Sequence, residues 1–159
     1  MKSPVSRFTR SIAGLGTAAT VVASLAPTPA NASDGKDYTA LSCRLYYSSA
    51  LEPLATSTGI YNNLSYSQSY VCPAIHDEGG SGITSAVVHY TSPTVSLVSC
   101  GLYSTSPLGS YRYQNRNMQL SGRRALSFGP IAGYTNGMYS IVCNIPPGAQ
   151  LHGYTINEG

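Results

Sequence analysis

The chain has 159 residues, of which only 9% are charged, and its formal charge of +3 belongs entirely to Lys2, Arg7 and Arg10 at the start. From Ser33 onward acidic and basic side chains balance, so binding of nucleic acid by phosphate neutralisation finds no support, nor does an interaction driven by overall field. Low charge here accompanies Val, Ile, Leu and Tyr at strand spacing, which argues against a disordered chain.

In chain order, the basic start is followed by an apolar, small-residue run at 12–26 and by Ala30-Asn31-Ala32, the small-x-small form that a signal peptidase accepts. We expect residues 1–32 to be a signal peptide cleaved near Ala32 and residues 33–159 to form a single exported domain, extracellular or periplasmic. No later run is long and apolar enough for a membrane span. The segment 33–38 reads as a polar lead-in. Leu41 to Tyr47 is the first strand candidate, with Leu41, Cys43 and Leu45 on one face and Arg44 opposite. Residues 48–57 read as a loop. Two extended pieces follow around Asn62-Asn63, with Pro73 expected to end the second because proline cannot donate to a ladder.

The glycine-dense HDEGGSG at 76–82 leads into Ile83 to Tyr90, where Ala86, Val88 and Tyr90 alternate with Val87 and His89. Thr91-Ser92-Pro93-Thr94 reads as a hairpin connection to Val95 to Tyr103, with Val98, Cys100 and Leu102 as an inward row. Residues 104–124 look polar and irregular. Leu126 and Phe128 mark a short strand, and Tyr134 to Gly137 a turn. Gly137 to Glu158 carries the clearest pattern: Tyr139, Ile141, Cys143 and Ile145 share one side of an extended chain, Pro146-Pro147-Gly148 turn it, and Tyr154 and Ile156 share a face beyond. No window shows a helical apolar period, and turn chemistry recurs about every ten residues. The expected fold is all-β: an antiparallel two-sheet sandwich of about eight strands, jelly-roll or Greek-key in order.

Cys43, Cys72, Cys100 and Cys143 all fall in the exported part. An even count in an oxidising compartment reads as two disulfides, and the spacing lacks the close pairs of a zinc site. Three connectivities are open in principle; we favour Cys43 with Cys72 and Cys100 with Cys143.

Candidate chemistry is sparse. His76-Asp77-Glu78 places one imidazole and two carboxylates in a loop, but His89, His152, Glu52 and Glu158 are almost all that remains to join them. No serine sits in G-x-S-x-G, Ser81 in GGSG included. Adjacent Asp77 and Glu78 point apart, unlike paired glycosidase carboxylates. We therefore assign no catalytic residue, metal ligand or cofactor. Recognition has a better candidate in Tyr111, Arg112, Tyr113, Asn115 and Arg116, with Asn117, because aromatic faces stack on sugar rings while Arg and Asn donate to hydroxyls. Ordinary strands also favour tyrosine, which is the competing explanation.

The stretches LSFGP at 126–130, GMYSIVCNIPP at 137–147 and GYTINE at 153–158, with YVCP at 70–73 and VSC at 98–100, resemble a group of small exported bacterial proteins with four cysteines. That resemblance implies an isolated β-sandwich behind a signal peptide and brings no function. The final strands are more loosely similar to those of jelly-roll carbohydrate-binding modules. The expected function is a non-catalytic secreted domain that binds an extracellular glycan or protein through tyrosine-bearing loops. A small secreted hydrolase, and an inhibitor or matrix component, are the alternatives.

Overall fold

The computed structural model describes residues 35–47, 54–75 and 82–159. Residues 1–32, expected to be a signal peptide, Glu52 and the positions of His76, Asp77, Glu78 and Ser81 lie outside the described residues. Eleven strands run through the rest: β1 Gly35–Thr39, β2 Arg44–Leu45, β3 Leu54–Thr56, β4 Gly59–Tyr61, β5 Gln68–Ala74, β6 Ile83–Ser92, β7 Leu97–Thr105, β8 Tyr111–Gln119, β9 Gly122–Phe128, β10 Met138–Ile145 and β11 Gln150–Glu158. The only described helix is a single 3-10 turn, Ala40–Ser42. It is far too short to cross a membrane.

Two antiparallel sheets result. One runs β3-β4-β11-β6-β9, with β1 also paired to β11; the other runs β2-β5-β10-β7-β8. The eight strands from β4 onward follow a single rule: β7 pairs with β8, β6 with β9, β5 with β10 and β4 with β11. The chain is thus one long hairpin, turned at residues 106–110 and rolled so that its paired strands fall alternately in the two sheets. That is jelly-roll order. The short β1, β2 and β3 are additions at its margins.

Period-two burial builds the core. Tyr70, Cys72 and Ala74 face inward from β5, Ala86, Val88 and Tyr90 from β6, Val98, Cys100 and Leu102 from β7, and Tyr139, Ile141, Cys143 and Ile145 from β10. Leu151, Tyr154 and Ile156 close the opposite layer. The expected alternation of residues 137–158 is therefore the observed one, and among the described residues there is almost no helix, as expected.

Both disulfides form with the favoured pairing, Cys43–Cys72 and Cys100–Cys143. Each links strands of the second sheet or the residue next to one. Cys100 stands directly opposite Cys143 in the β7/β10 register, and Cys43 precedes β2, whose Arg44 pairs with Val71. The bonds therefore staple neighbouring strands of one sheet, and what holds the layers together is apolar packing with a few polar ties. One tie is Tyr154, whose hydroxyl donates to the Pro73 carbonyl across the sandwich and whose ring stacks on Tyr38 at 4.9 Å. Another is Asn62, fully buried, donating 2.9 Å hydrogen bonds to the carbonyls of Tyr66 and Ile145.

Several local expectations are corrected. The lead-in before Tyr38 is ordered as β1 because Lys36 to Thr39 pair with Gly153 to Ile156. The first half of the first strand candidate is instead the 3-10 turn, capped by Thr39. The loop expected at 48–57 contains β3, paired to β4. Pro73 does not end its strand: β2 covers only Tyr70 and Val71, so proline's missing donor faces no partner. Most consequential, β6 and β7 are not a hairpin. Each joins a different sheet, and Ser92 to Ser96 arch between them, held by the buried Ser92 hydroxyl donating to the Thr94 carbonyl at 2.9 Å. Finally, the polar stretch 104–124 is regular, most of it being β8 and the start of β9.

Candidate functional site

Strand alternation divides the residues singled out between 111 and 117. Tyr111, Tyr113, Asn115 and Asn117 point to the outward face of the second sheet, and Arg112 and Arg116 to the opposite side of β8. There Arg112 donates to the Gly133 carbonyl at 3.1 Å and lies 4.5 Å from the ring centroid of Tyr134. Gln114 donates to Pro130 at 2.5 Å and Arg116 to Ser127 at 3.3 Å. These three side chains tie β8, at the edge of the second sheet, to β9 at the edge of the first and to the segment that follows it. The five candidates are therefore neighbours in sequence with two separate positions in space, and they sit on a strand, not a loop.

The outward face gathers tyrosines from other parts of the chain. In the β7/β8 register Tyr103 is opposite Tyr113, and Thr105 opposite Tyr111. The Tyr103 and Tyr113 rings stack at 5.9 Å with 21° between planes, while Tyr111 sits 6.5 Å from Tyr103 and 6.0 Å from Tyr113. Tyr46, just beyond β2, completes a cleft of about 540 Å³ lined also by Thr105 and Asn115. Burial, followed by the neighbouring phenols of Tyr46, Tyr113 and Tyr111, raises the pKa of Tyr103 above the ordinary phenol value.

A glycine makes this arrangement fit. At Gly101 a Cβ would lie 2.7 Å from both the Tyr103 ring and Asn115 Oδ1. Absence of a side chain lets Tyr103 lie down along the sheet instead of standing away from it. Sequence reasoning missed Tyr103 and Tyr46. Tyr103 had a legible signal, being one residue out of phase with the inward Cys100 and Leu102. Tyr46 had none, because its approach depends on which strand lies beside β5.

Next to this cleft, and sharing Thr105 with it, a second hollow of about 360 Å³ is walled by Arg44, Val71, Pro73, Met138 and Ser140. Its surface is mainly apolar, and with the tyrosines it makes the outward face of this sheet a continuous shallow trough.

Among the described residues no group of three or more His, Cys, Asp or Glu side chains could hold a metal ion. Of the three histidines, His89 and His152 belong to the other sheet, and His76 lies outside the described residues.

No protein-family model matches this sequence, and comparison with characterised proteins finds no similar sequence. Among solved structures, the CBM36-1 domain of a multidomain xylanase from the hindgut metagenome of Trinervitermes trinervoides is 10% identical with a TM-score of 0.49, the alignment covering 77% of this chain and 96% of that one. The GH26-CBM35 β-(1,4)-mannanase of Podospora anserina is 10% identical with a TM-score of 0.47, over 79% of this chain and 28% of the other. TmCBM61, solved with β-1,4-galactotriose, is 9% identical with a TM-score of 0.38, over 78% and 83%. What those proteins bind is a property of their own residues.

Proposed function

We propose that this is a non-catalytic, exported binding domain whose recognition surface is the tyrosine-lined outward face of the second sheet. The observation that carries the reading is the stacked Tyr103–Tyr113 pair, flanked by Tyr111 and Tyr46 around one open cleft with Asn115 and Thr105 at its margin. A ligand suited to it has an apolar plane ringed by hydroxyls, as a sugar does: the rings meet the plane, and the phenol, amide and hydroxyl groups meet the rim. Export rests on the signal-peptide character of residues 1–32 and suits two disulfides, which persist in oxidising compartments.

Glycan-array binding followed by affinity measurement tests this. Truncating a stacked aromatic anchor should cost about 2 kcal/mol, so Tyr113→Ala should weaken binding roughly 30-fold. Arg116→Ala, which removes a side chain aimed away from the face, should leave affinity within about twofold. Equal loss in both variants, or no glycan bound by the parent protein, would refute the assignment.

A further inference from the structure

The opposite surface of the sandwich, the outward face of the sheet containing β11, carries a basin of its own. It is about 310 Å³, and its walls include Asp37, His89, Arg123, His152 and Thr155. Strand pairing explains its shape. On β6, His89 lies between Gly153 of β11 and Ala125 of β9, so its ring stands where both cross-strand neighbours have little or no side chain. Gly153 cannot be enlarged, because a Cβ there would come within 2.4 Å of the Tyr38 carbonyl. The hollow beside His89 is thus enforced by backbone packing.

The register of β11 slips between Leu151 and Gly153, leaving His152 as the extra residue of a bulge, a device that re-aims a side chain. Its ring is fixed at both nitrogens. Nδ1 donates to the Thr58 carbonyl at 3.0 Å, so in the neutral ring Nε2 accepts from the Thr91 hydroxyl at 2.7 Å. Asp37 is steadied by a 2.5 Å hydrogen bond from Thr155. In contrast, beyond the backbone pairing of their strands, the His89 and Arg123 side chains have no hydrogen-bond or ion-pair partner among the described residues. They are diagonal neighbours on one face, with roughly 7–8 Å between their backbones, and both side chains are long enough to converge on a group between them. Three strand spacings across the sheet and four residues along the strands, roughly 20 Å in all, separate the backbones of Arg123 and Asp37.

We infer that this basin is a second ligand site, for a hydroxylated carboxylate. The carboxylate sits between Arg123 and His89, in reach of the guanidinium fork, and hydroxyls extend toward Asp37 and Thr155, which accept from them. A hexuronate is the simplest sugar of this class. The site stands on residues apart from the tyrosine face, so it does not depend on the function proposed above.

NMR titration of the intact exported domain tests it, reading the imidazole signals of His89 assigned with a His89→Ala variant. Galacturonate should shift them saturably, while galactose should leave them in place. Arg123→Gln, a change at an exposed position that spares the fold, should weaken the galacturonate response at least tenfold, and Tyr113→Ala should not alter it. A response to sulfate as strong as that to galacturonate would overturn the inference, as would equal shifts with galactose, no saturable shift, or undiminished binding by Arg123→Gln.

Discussion

Asn62 shows how much one polar side chain can hold. Its amide donates to two carbonyls and accepts from the Leu64 N–H at 3.1 Å, while its own backbone exchanges hydrogen bonds with Ala149 and Gly148. The loop before β5 is thereby tied to the arch between β10 and β11. Asn62→Ala leaves the buried Ile145 carbonyl without this partner, and should destabilise the domain by roughly 2–4 kcal/mol in urea unfolding. Asn62→Asp should cost at least as much, since a carboxylate cannot donate. Tyr70 presents the reverse case: the ring is fully buried and its hydroxyl has no partner among the described residues. Tyr70→Phe removes an unpaired polar atom while keeping the ring, and should raise stability by about 1 kcal/mol, seen as a higher Tm.

Among the elements, β8 best connects sequence to the proposed site. Its outward tyrosines form the cleft, while its Arg112, Gln114 and Arg116 hold β9 and the segment after it. The strand's two faces therefore separate the proposed binding surface from architecture, and variants of alternate residues should sort into those two phenotypes. The Cys100–Cys143 bond lies across the β7/β10 pair beneath the same face. In the chain-entropy model a bond closing a loop of this size stabilises by roughly 4 kcal/mol. The paired Cys100→Ala, Cys143→Ala variant should lose about that amount in urea unfolding, with binding at the tyrosine face weakened in step with any loosening of β7. A loss under about 1 kcal/mol would show that strand pairing alone suffices. Gly59 has a comparable structural role: its φ of 140° and a Cβ position 2.0 Å from the Leu151 carbonyl exclude any side chain where β4 meets β11.

For the whole molecule, buried tyrosines set the response to alkali. Burial pushes the Tyr70 phenol up to about 12 and raises those of Tyr90 and Tyr154 as well. The folded state then holds protons that the unfolded chain releases above its ordinary value of 10.0. Stability from this source is complete below that value and is lost as pH rises toward the folded values. Thermal unfolding should change little between about pH 7 and about pH 9 and fall steeply near pH 11, with Tyr70→Phe reducing the drop. A drop unchanged in that variant would remove Tyr70 as its cause.

Sequence alone determined which side chains face inward, because burial of one strand face forces a period of two that is visible in β10 and β6 before any partner is known. It also determined that the chain would be all-β, and its cysteine pattern supported the pairing that forms. Alternation is blind to what lies beside a strand. The stretch from Ile83 to Tyr103 has the same pattern whether it closes as a hairpin or arches between sheets, and only the competing claims of β11, β9, β10 and β8 decide. For the same reason local sequence joined Tyr113 to Arg116, three residues away, whereas the fold joined Tyr113 to Tyr103 and Tyr46. Which residues share a surface is settled by strands far apart along the chain, and no local pattern encodes that distance.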